Sequence, residues 1–167
     1  LNTGKEKNFQ YLLPEVRFYN YRRMATRDIL PRWGYQLRLQ YLTLPFDTEN
    51  FGSLYAARLT TYWPGLIRNH SFMLRFGYQY QDANVFYIPK QLIDKPRGYN
   101  YERKTRQQFA FKVDYAFPFL YPDWKIASLA YFQRFRANLF YDINRNEPDK
   151  NQGWQNQSSF GADLIMD

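Results

Sequence analysis

The sequence of 167 residues contains no cysteine and a single histidine, His70. These absences exclude a disulfide framework, a thiolate zinc site, a cysteine nucleophile and any metal site built from several histidines. Long apolar runs are also missing, because the densest apolar stretch, Tyr115–Tyr121, has only seven residues. A transmembrane helix needs about 18 or more consecutive apolar residues, so the sequence does not predict a helical membrane protein.

Aromatic residues are what the sequence has in excess. There are 15 Phe, 16 Tyr and 4 Trp, which is 21% of the chain, although the mean hydropathy is −0.69. Disordered basic chains are poor in aromatic residues, so this composition indicates an ordered fold. The net charge is +8, and basic residues together with aromatic rings make nucleic-acid binding one interpretation.

Apolar and polar residues alternate with a period of two along most of the chain, which indicates β-strands with two different faces. We predict seven strands and no helix, with clear runs at Tyr35–Tyr41, Ser71–Gln81, Gln108–Phe117 and Ser128–Asp142, and weaker runs at Val16–Met24, Leu54–Trp63 and Ser158–Asp167. Rings and leucines occupy one face of each strand, and charged and amide side chains occupy the other. Because cations and rings are thus separated, they do not form a stacking platform for bases, and we expect no nucleic-acid partner.

The predicted connections are of two kinds. Compact turns rich in Pro, Asp and Trp (27–34, 63–70 and 118–125) fall at one end of the strands, and longer loops (45–52, 82–106 and 144–157) fall at the other. Short turns at one rim and long loops at the other are typical of outer-membrane barrels. The runs of about 10 to 16 residues exceed the usual soluble strand and suit a bilayer crossing. We therefore predict an all-β, antiparallel, up-and-down transmembrane β-barrel; the alternative is a soluble antiparallel β-domain with an aromatic core.

The most distinctive local motif lies in the longest loop, 82–106, as Lys95-Pro-Arg97-Gly98-Tyr99. The next two predicted strands carry Asp114 and Asp142 on their polar faces. A buried arginine needs a carboxylate partner, which can bind it with two hydrogen bonds. One hypothesis is that the loop folds into the barrel and Arg97 pairs with these carboxylates; the alternative is that all three side chains face water.

Several segments together resemble the BamA-like outer-membrane β-barrels, the bacterial surface antigen domains of the insertase and two-partner-secretion superfamily. They are Asp28-Ile-Leu-Pro-Arg-Trp-Gly34, Trp63-Pro-Gly-Leu-Ile-Arg-Asn-His70, Pro96-Arg-Gly-Tyr99, Val113-Asp-Tyr-Ala-Phe-Pro118 and Asn138-Leu-Phe-Tyr-Asp142. In that family an Arg-Gly-aromatic motif of the sixth extracellular loop inserts into the barrel and meets acidic residues of the following two strands. By resemblance, the motif residues are Arg97, Gly98 and Tyr99, and their lumen partners are Asp114 and Asp142.

The resemblance covers nearly the whole chain, and the Pro-rich segments resemble those of members from the Bacteroidota. By this resemblance the chain corresponds to about seven strands, the eighth to the fourteenth, of a sixteen-stranded barrel. The sequence departs from the family pattern in having no POTRA domains, no first strand and no final strand with a terminal aromatic. Asn144 stands where the family often has glycine. We expect residues 1–167 to form a single, partial barrel domain of a larger protein.

The resemblance implies an integral protein of the Gram-negative outer membrane that assists protein insertion or translocation. Its expected partners are outer-membrane lipid, client β-barrel or secreted proteins, and accessory lipoproteins. Alternatives are a passive channel or porin and a soluble β-sandwich binding module. We expect no enzyme activity, cofactor or metal: His70 and Ser71 are adjacent on a strand and point to opposite faces, and Asp163 and Asp167 are interpreted as lumen residues.

Overall fold

The computed structural model describes residues 10–22, 24, 28–46, 52–82, 91–99, 105–121, 124–126, 130–132, 134–148 and 153–166. Within these ranges the fold is all-β. Seven long antiparallel strands form one sheet in up-and-down order: β1 (Glu15–Tyr21), β2 (Gly34–Leu42), β3 (Ser53–Pro64), β4 (Ser71–Asp82), β5 (Gln107–Leu120), β8 (Phe135–Glu147) and β9 (Gln155–Met166). Between β5 and β8, β6 (Trp124–Ile126) and β7 (Ala130–Phe132) pair as a separate two-stranded sheet. No helix in the described ranges is long and apolar enough to cross a membrane.

The strand bounds correct three expectations. The predicted strand Ser128–Asp142 is not continuous, because β8 begins at Phe135 and Ala130–Phe132 belongs to the short sheet. The predicted turn 118–125 was wrong, because β5 continues to Leu120, past an irregularity in the ladder between Pro118 and Leu120. Proline has no backbone N–H to donate to the hydrogen bonds between strands. Apolar and polar residues can keep alternating where strand pairing is interrupted, so the alternation alone did not reveal these interruptions.

The predicted loop 144–157 is also shorter than expected. Asn144 pairs with Gln157, and Asn146 pairs with Gln155, so the strands extend into a polar segment whose composition suggested a loop. These amides continue the polar face of the sheet, which is why polarity was misleading here. Of the predicted loop 82–106, residues 83–90 and 100–104 lie outside the described residues.

The two faces of the sheet differ in polarity, and the apolar face is the more exposed one. The rings there form cross-strand pairs such as Tyr78–Phe109 and Phe76–Phe111, with centroids 4.7 and 4.8 Å apart. Phe76 keeps 44% of its surface exposed, and Leu139 keeps 48%. Soluble sheets place the apolar face inward and the polar face outward. This sheet does the opposite.

Part of the polar face is covered by the segment Gln91–Tyr99, which contacts β3, β4, β5, β8 and β9. A small apolar cluster lies beneath it, made of Leu42, Leu54, Ala56, Ile93 and Ala110. Polar side chains nearby are buried as deeply as the leucines of this cluster, including Gln108 and Asp142, both at 0% exposure. The segment therefore closes over a polar wall, and hydrogen bonds and ion pairs must hold most of that contact.

The β8–β9 register can be tested with engineered cysteines because the chain has none of its own. Leu139 and Ala162 are direct partners on the open face. Partners in an antiparallel pair have Cα atoms about 4.5–5.5 Å apart, which a disulfide can span. Leu139→Cys/Ala162→Cys should therefore oxidise to a disulfide, seen as a mobility shift on non-reducing gels.

The matched control is Leu139→Cys/Phe160→Cys. Phe160 pairs with Tyr141 and is a diagonal neighbour of Leu139, at a distance of about 7–8 Å that a disulfide does not bridge. Crosslinking of the control pair in place of the test pair would show a register shifted by two residues.

Candidate functional site: the Arg97 anchor

The candidate site begins with a tight turn that aims Arg97 at the sheet. The Tyr99 amide donates to the Pro96 carbonyl at 3.4 Å, and Gly98 has φ +86°. Glycine adopts positive φ at little cost, and a Cβ at position 98 would meet nothing within 4 Å. The glycine is therefore required by the backbone conformation of the turn and not by crowding.

Arg97 is bound most closely by Asp142 of β8. Its Nε and Nη2 atoms donate to Oδ2 and Oδ1 of Asp142 at 3.0 and 2.9 Å, and its backbone amide donates to Oδ2 at 2.9 Å. Nη2 also donates to Oδ1 of Asp114 on β5 at 2.8 Å, and Nη1 to Oδ2 of Asp163 on β9 at 3.4 Å. The structure thus brings Arg97, Asp114 and Asp142 together, and it adds a third carboxylate.

Further polar groups hold the carboxylates in place. Asp114 accepts from Arg75 Nη2 at 2.7 Å and from Asn138 Nδ2 at 2.8 Å. Lys112 Nζ lies 3.7 Å from Asp142 and donates to the backbone carbonyl of Lys95. Each buried carboxylate therefore serves two cations, which suits a pocket where an unpaired charge would be strongly unfavourable.

The charge state of Arg97 follows from these contacts. Burial opposes the positive charge, but the hydrogen bonds to Asp142 and Asp114 outweigh it, so the pKa of the guanidinium lies above its ordinary value. Arginine is in any case protonated throughout the physiological range. Arg97 is therefore a permanent cation and has no role as an acid or a base.

An aromatic ring completes the pocket of Arg97. The guanidinium carbon lies 3.6 Å from the ring centroid of Phe140, within cation–π range. On the next strand Gly161 is the partner of Phe140, and a Cβ there would lie 2.6 Å from Cζ of the ring. The glycine therefore leaves the space in which the ring lies.

The remaining motif residue, Tyr99, also contacts the sheet. Its hydroxyl donates to the Ser158 carbonyl of β9 at 3.1 Å, and its side chain is 37% exposed. Gly98 makes the turn, and Tyr99 adds a second contact between the loop and β9.

Sequence reasoning missed four members of this site: Phe140, Arg75, Lys112 and Asn138. Phe140 offered a usable signal, because it is a ring at the strand parity of Asp142, among polar residues. Asp163 was predicted to lie on the polar face but not to approach Arg97. The contact between Asp163 and Arg97 depends on the register in which β9 pairs with β8. The spacing of residues along the sequence does not reveal that register.

In the described part of the chain, no three His, Cys, Asp or Glu side chains are placed to hold a metal ion. His70 Nδ1 lies 2.7 Å from the Tyr115 hydroxyl, and Ser71 is buried. The contacts of Arg97 fasten the loop to β5, β8 and β9.

We predict that Arg97→Ala lowers the free energy of unfolding by about 3 kcal/mol, because it removes the closest cation from Asp142 and one of the two cations from Asp114. Arg97→Lys should recover only part of the loss, since lysine lacks the planar fork that binds Asp142 through two nitrogens. Asp142→Asn and Asp114→Asn should each reproduce part of the Arg97→Ala effect. Denaturant unfolding of the intact protein measures these changes.

Arg17→Ala is the matched control. Arg17 pairs with Glu15 on the edge strand β1, and its side chain is 47% exposed. Exposed ion pairs contribute about 1 kcal/mol or less. Equal losses for Arg97→Ala and Arg17→Ala would contradict an anchoring role for Arg97.

Comparison of the chain with protein-family models, with curated proteins and with solved structures gives no significant match.

Proposed function

We propose that the chain forms part of an integral outer-membrane β-barrel of the BamA-like type, which assists the insertion or translocation of proteins at the bacterial outer membrane. The observation that carries the proposal is the inverted sheet, apolar on its open face and polar beneath a loop fastened by Arg97. The same two features are what the sequence resemblance implies.

Lipid is the environment that suits the open face. An exposed apolar surface larger than a few hundred Å² is rare on soluble proteins, and this one continues from β2 to β9. Membrane barrels require an apolar outer band and tolerate a polar interior. Trp33 and Trp63, in edge contact at 4.8 Å, lie at the compact-turn end of the sheet, where a membrane-interface girdle is expected.

A closed barrel would also satisfy the two edges of the sheet. Within the described residues, β1 and β9 are the edge strands. Seven strands are fewer than the eight of the smallest single-chain outer-membrane barrels, so closure requires further strands. In the sixteen-stranded barrel that we propose, those strands pair with β1 and β9 and leave no open backbone in the bilayer.

The proposed mechanism is mechanical. The loop around Arg97 is fastened inside the lumen by Asp114, Asp142 and Asp163, and it braces the wall formed by β5, β8 and β9. Strands elsewhere in the barrel can then open or exchange partners with client segments while this wall keeps its shape. The chain itself supplies no chemical step.

A substitution on the open face tests the membrane assignment. Val113 lies in the middle of β5, between Leu74 and Tyr141 on the neighbouring strands. Val113→Arg should reduce insertion of the intact protein into phospholipid vesicles, because arginine facing lipid at mid-depth costs about 2–4 kcal/mol. Vesicle flotation and heat-modifiable migration on gels measure insertion.

Val113→Leu, at the same position, should insert like the wild type. If the wild-type protein stays in solution without detergent, or if Val113→Arg inserts normally, the membrane assignment fails. The first outcome would favour the soluble binding module, although in the described residues no second sheet packs on the apolar face.

A passive channel is the second candidate, and the uncovered part of the polar face favours it. Arg17 and Arg38 are direct partners there, with side chains 47% and 27% exposed. We expect the intact protein to conduct poorly or erratically in planar bilayers, and we expect deletion of residues 82–106 to increase conductance. Steady conductance with the loop present would favour the channel.

A further inference from the structure

Three arginines form a row on the polar face, beside the segment Gln91–Tyr99. Arg17 of β1 is the direct partner of Arg38 of β2, and Arg38 is in turn the direct partner of Arg58 of β3. Direct partners on antiparallel strands have Cα atoms about 4.5–5.5 Å apart, and like charges that face each other in this way are unfavourable. The row therefore needs negative charge close to it.

The carboxylates that contact the row do not balance its charge. In the described part of the chain, only Glu15 and Asp94 form ion pairs with these arginines. Glu15 is shared between Arg17 and Arg38. Asp94 lies 3.2 Å from Nη2 of Arg58. Three guanidinium groups are thus paired with two carboxylates, which leaves one positive charge in excess.

Arg38, in the middle of the row, is the least well paired of the three. Its Nε atom lies 3.6 Å from Oε1 of Glu15, which is longer than an N–H···O hydrogen bond, and this atom has no hydrogen-bond partner among the described residues. By contrast, Arg17 Nε donates to Glu15 at 3.0 Å, and Arg58 Nη2 donates to the Leu92 carbonyl at 2.7 Å. The centre of the row therefore has hydrogen-bonding capacity that the chain itself does not use.

A solute can reach the row, because the side chains of Arg17, Arg38 and Arg58 are 47, 27 and 23% exposed. Gln36 and Gln40 lie before and after Arg38 on the same face of β2, since alternate residues of a strand share a face. Their amides are uncharged donors along the strand, and the flanking arginines are charged donors across it. Donors thus surround Arg38 in both directions of the sheet.

We infer that Arg17, Arg38 and Arg58 form a binding site for a soluble phosphate-type oxyanion, with Arg38 at its centre. A planar guanidinium can bind two oxygens of such a group at once. A phosphate group at neutral pH carries a charge of about −1.5 to −2 and three acceptor oxygens, so it matches three arginines better than one carboxylate does. The inference goes beyond the proposed function and does not depend on it, because the row lies on the opposite face from the apolar surface.

Glu15 is the internal competitor for this anion. Its carboxylate contacts Arg17 and Arg38 and also accepts a hydrogen bond from Gln40 Nε2 at 2.8 Å. The bound oxyanion uses these same groups, so it must displace the Glu15 carboxylate or share the arginines with it. Removal of the Glu15 charge should therefore strengthen anion binding, whereas a row with a structural role alone would gain no affinity.

The test is calorimetric titration of the intact protein in detergent with inorganic phosphate and with pyrophosphate, at constant ionic strength. We expect saturable binding, with pyrophosphate bound more tightly than phosphate. Arg38→Gln should weaken binding at least about tenfold, as expected for the loss of a charged hydrogen-bond partner. Arg38→Lys should also weaken it, since lysine keeps the charge but lacks the planar fork. Glu15→Gln should tighten it about threefold, the value of a modest exposed ion pair.

Arg145→Gln is the matched control, because it removes one positive charge from the opposite face of the sheet. Arg145 is the direct partner of Phe109, and its guanidinium carbon lies 4.9 Å from the ring centroid of Trp154. This variant should bind phosphate like the wild type. Equal losses for Arg38→Gln and Arg145→Gln would indicate general attraction by the net charge of +8 and would overturn the inference. The absence of saturable binding in both the wild type and Glu15→Gln would also overturn it.

If Arg38→Gln loses its circular dichroism, Arg17→Gln provides the same test, because Arg17 is nearly half exposed on the edge strand. Detergent micelles that contain phosphatidic acid distinguish a lipid phosphate from a soluble one. They should not displace pyrophosphate, and displacement would overturn the assignment to a soluble anion.

Vesicle insertion of the wild type separates the two proposals. A protein that inserts but binds no phosphate refutes only this site, whereas a protein that binds phosphate but does not insert refutes only the membrane function.

Discussion

The structure depends on one constraint: a charge that is taken out of water must be paired. Asp142 has no exposed surface and Asp114 almost none, and a buried carboxylate without a cation is strongly unfavourable. Arg97, Arg75 and Lys112 supply the cations, and only Arg97 comes from outside the strands. The position of the loop is therefore imposed by the electrostatics of the wall, and β5, β8 and β9 are joined through a residue that belongs to none of them.

The same constraint explains how a segment can cover a polar face of the sheet. A conventional core gains stability from apolar area, but the apolar cluster under the segment is small and consists largely of leucine and alanine side chains with one isoleucine. Here hydrogen bonds take the place of much of the buried apolar area. Because they are directional, they fix the position of the covering segment more narrowly than apolar contacts would. The large apolar side chains lie on the other face of the sheet, where many of them are exposed.

Much of the sheet could be predicted from the sequence, because residue parity reports directly on which face a side chain occupies. Parity placed Asp114 and Asp142 on one face, and the bulk of β2, β4 and β5 lies where the alternation predicted. The errors at Pro118, Phe135 and Asn144 have one cause: alternation describes faces and does not locate the ends of pairing. Asp163 escaped prediction as an Arg97 partner because its approach depends on the β8–β9 register, a long-range property.

The covering segment, Gln91–Tyr99, contacts the sheet around Gln79 and at Arg97. These two regions differ in kind, and the difference matters for how the segment could move. At Arg97 the contacts are charged and specific to the side chain, so few other sequences could replace it. Around Gln79 they combine hydrogen bonds to the backbone with side-chain contacts of Gln91 and Asp94. Ile93 and Arg97 are four positions apart, a span of at most about 14 Å when extended, and Lys112 donates a hydrogen bond to the Lys95 carbonyl between them. Release at Gln79 alone would therefore leave the segment tethered to the sheet through Arg97.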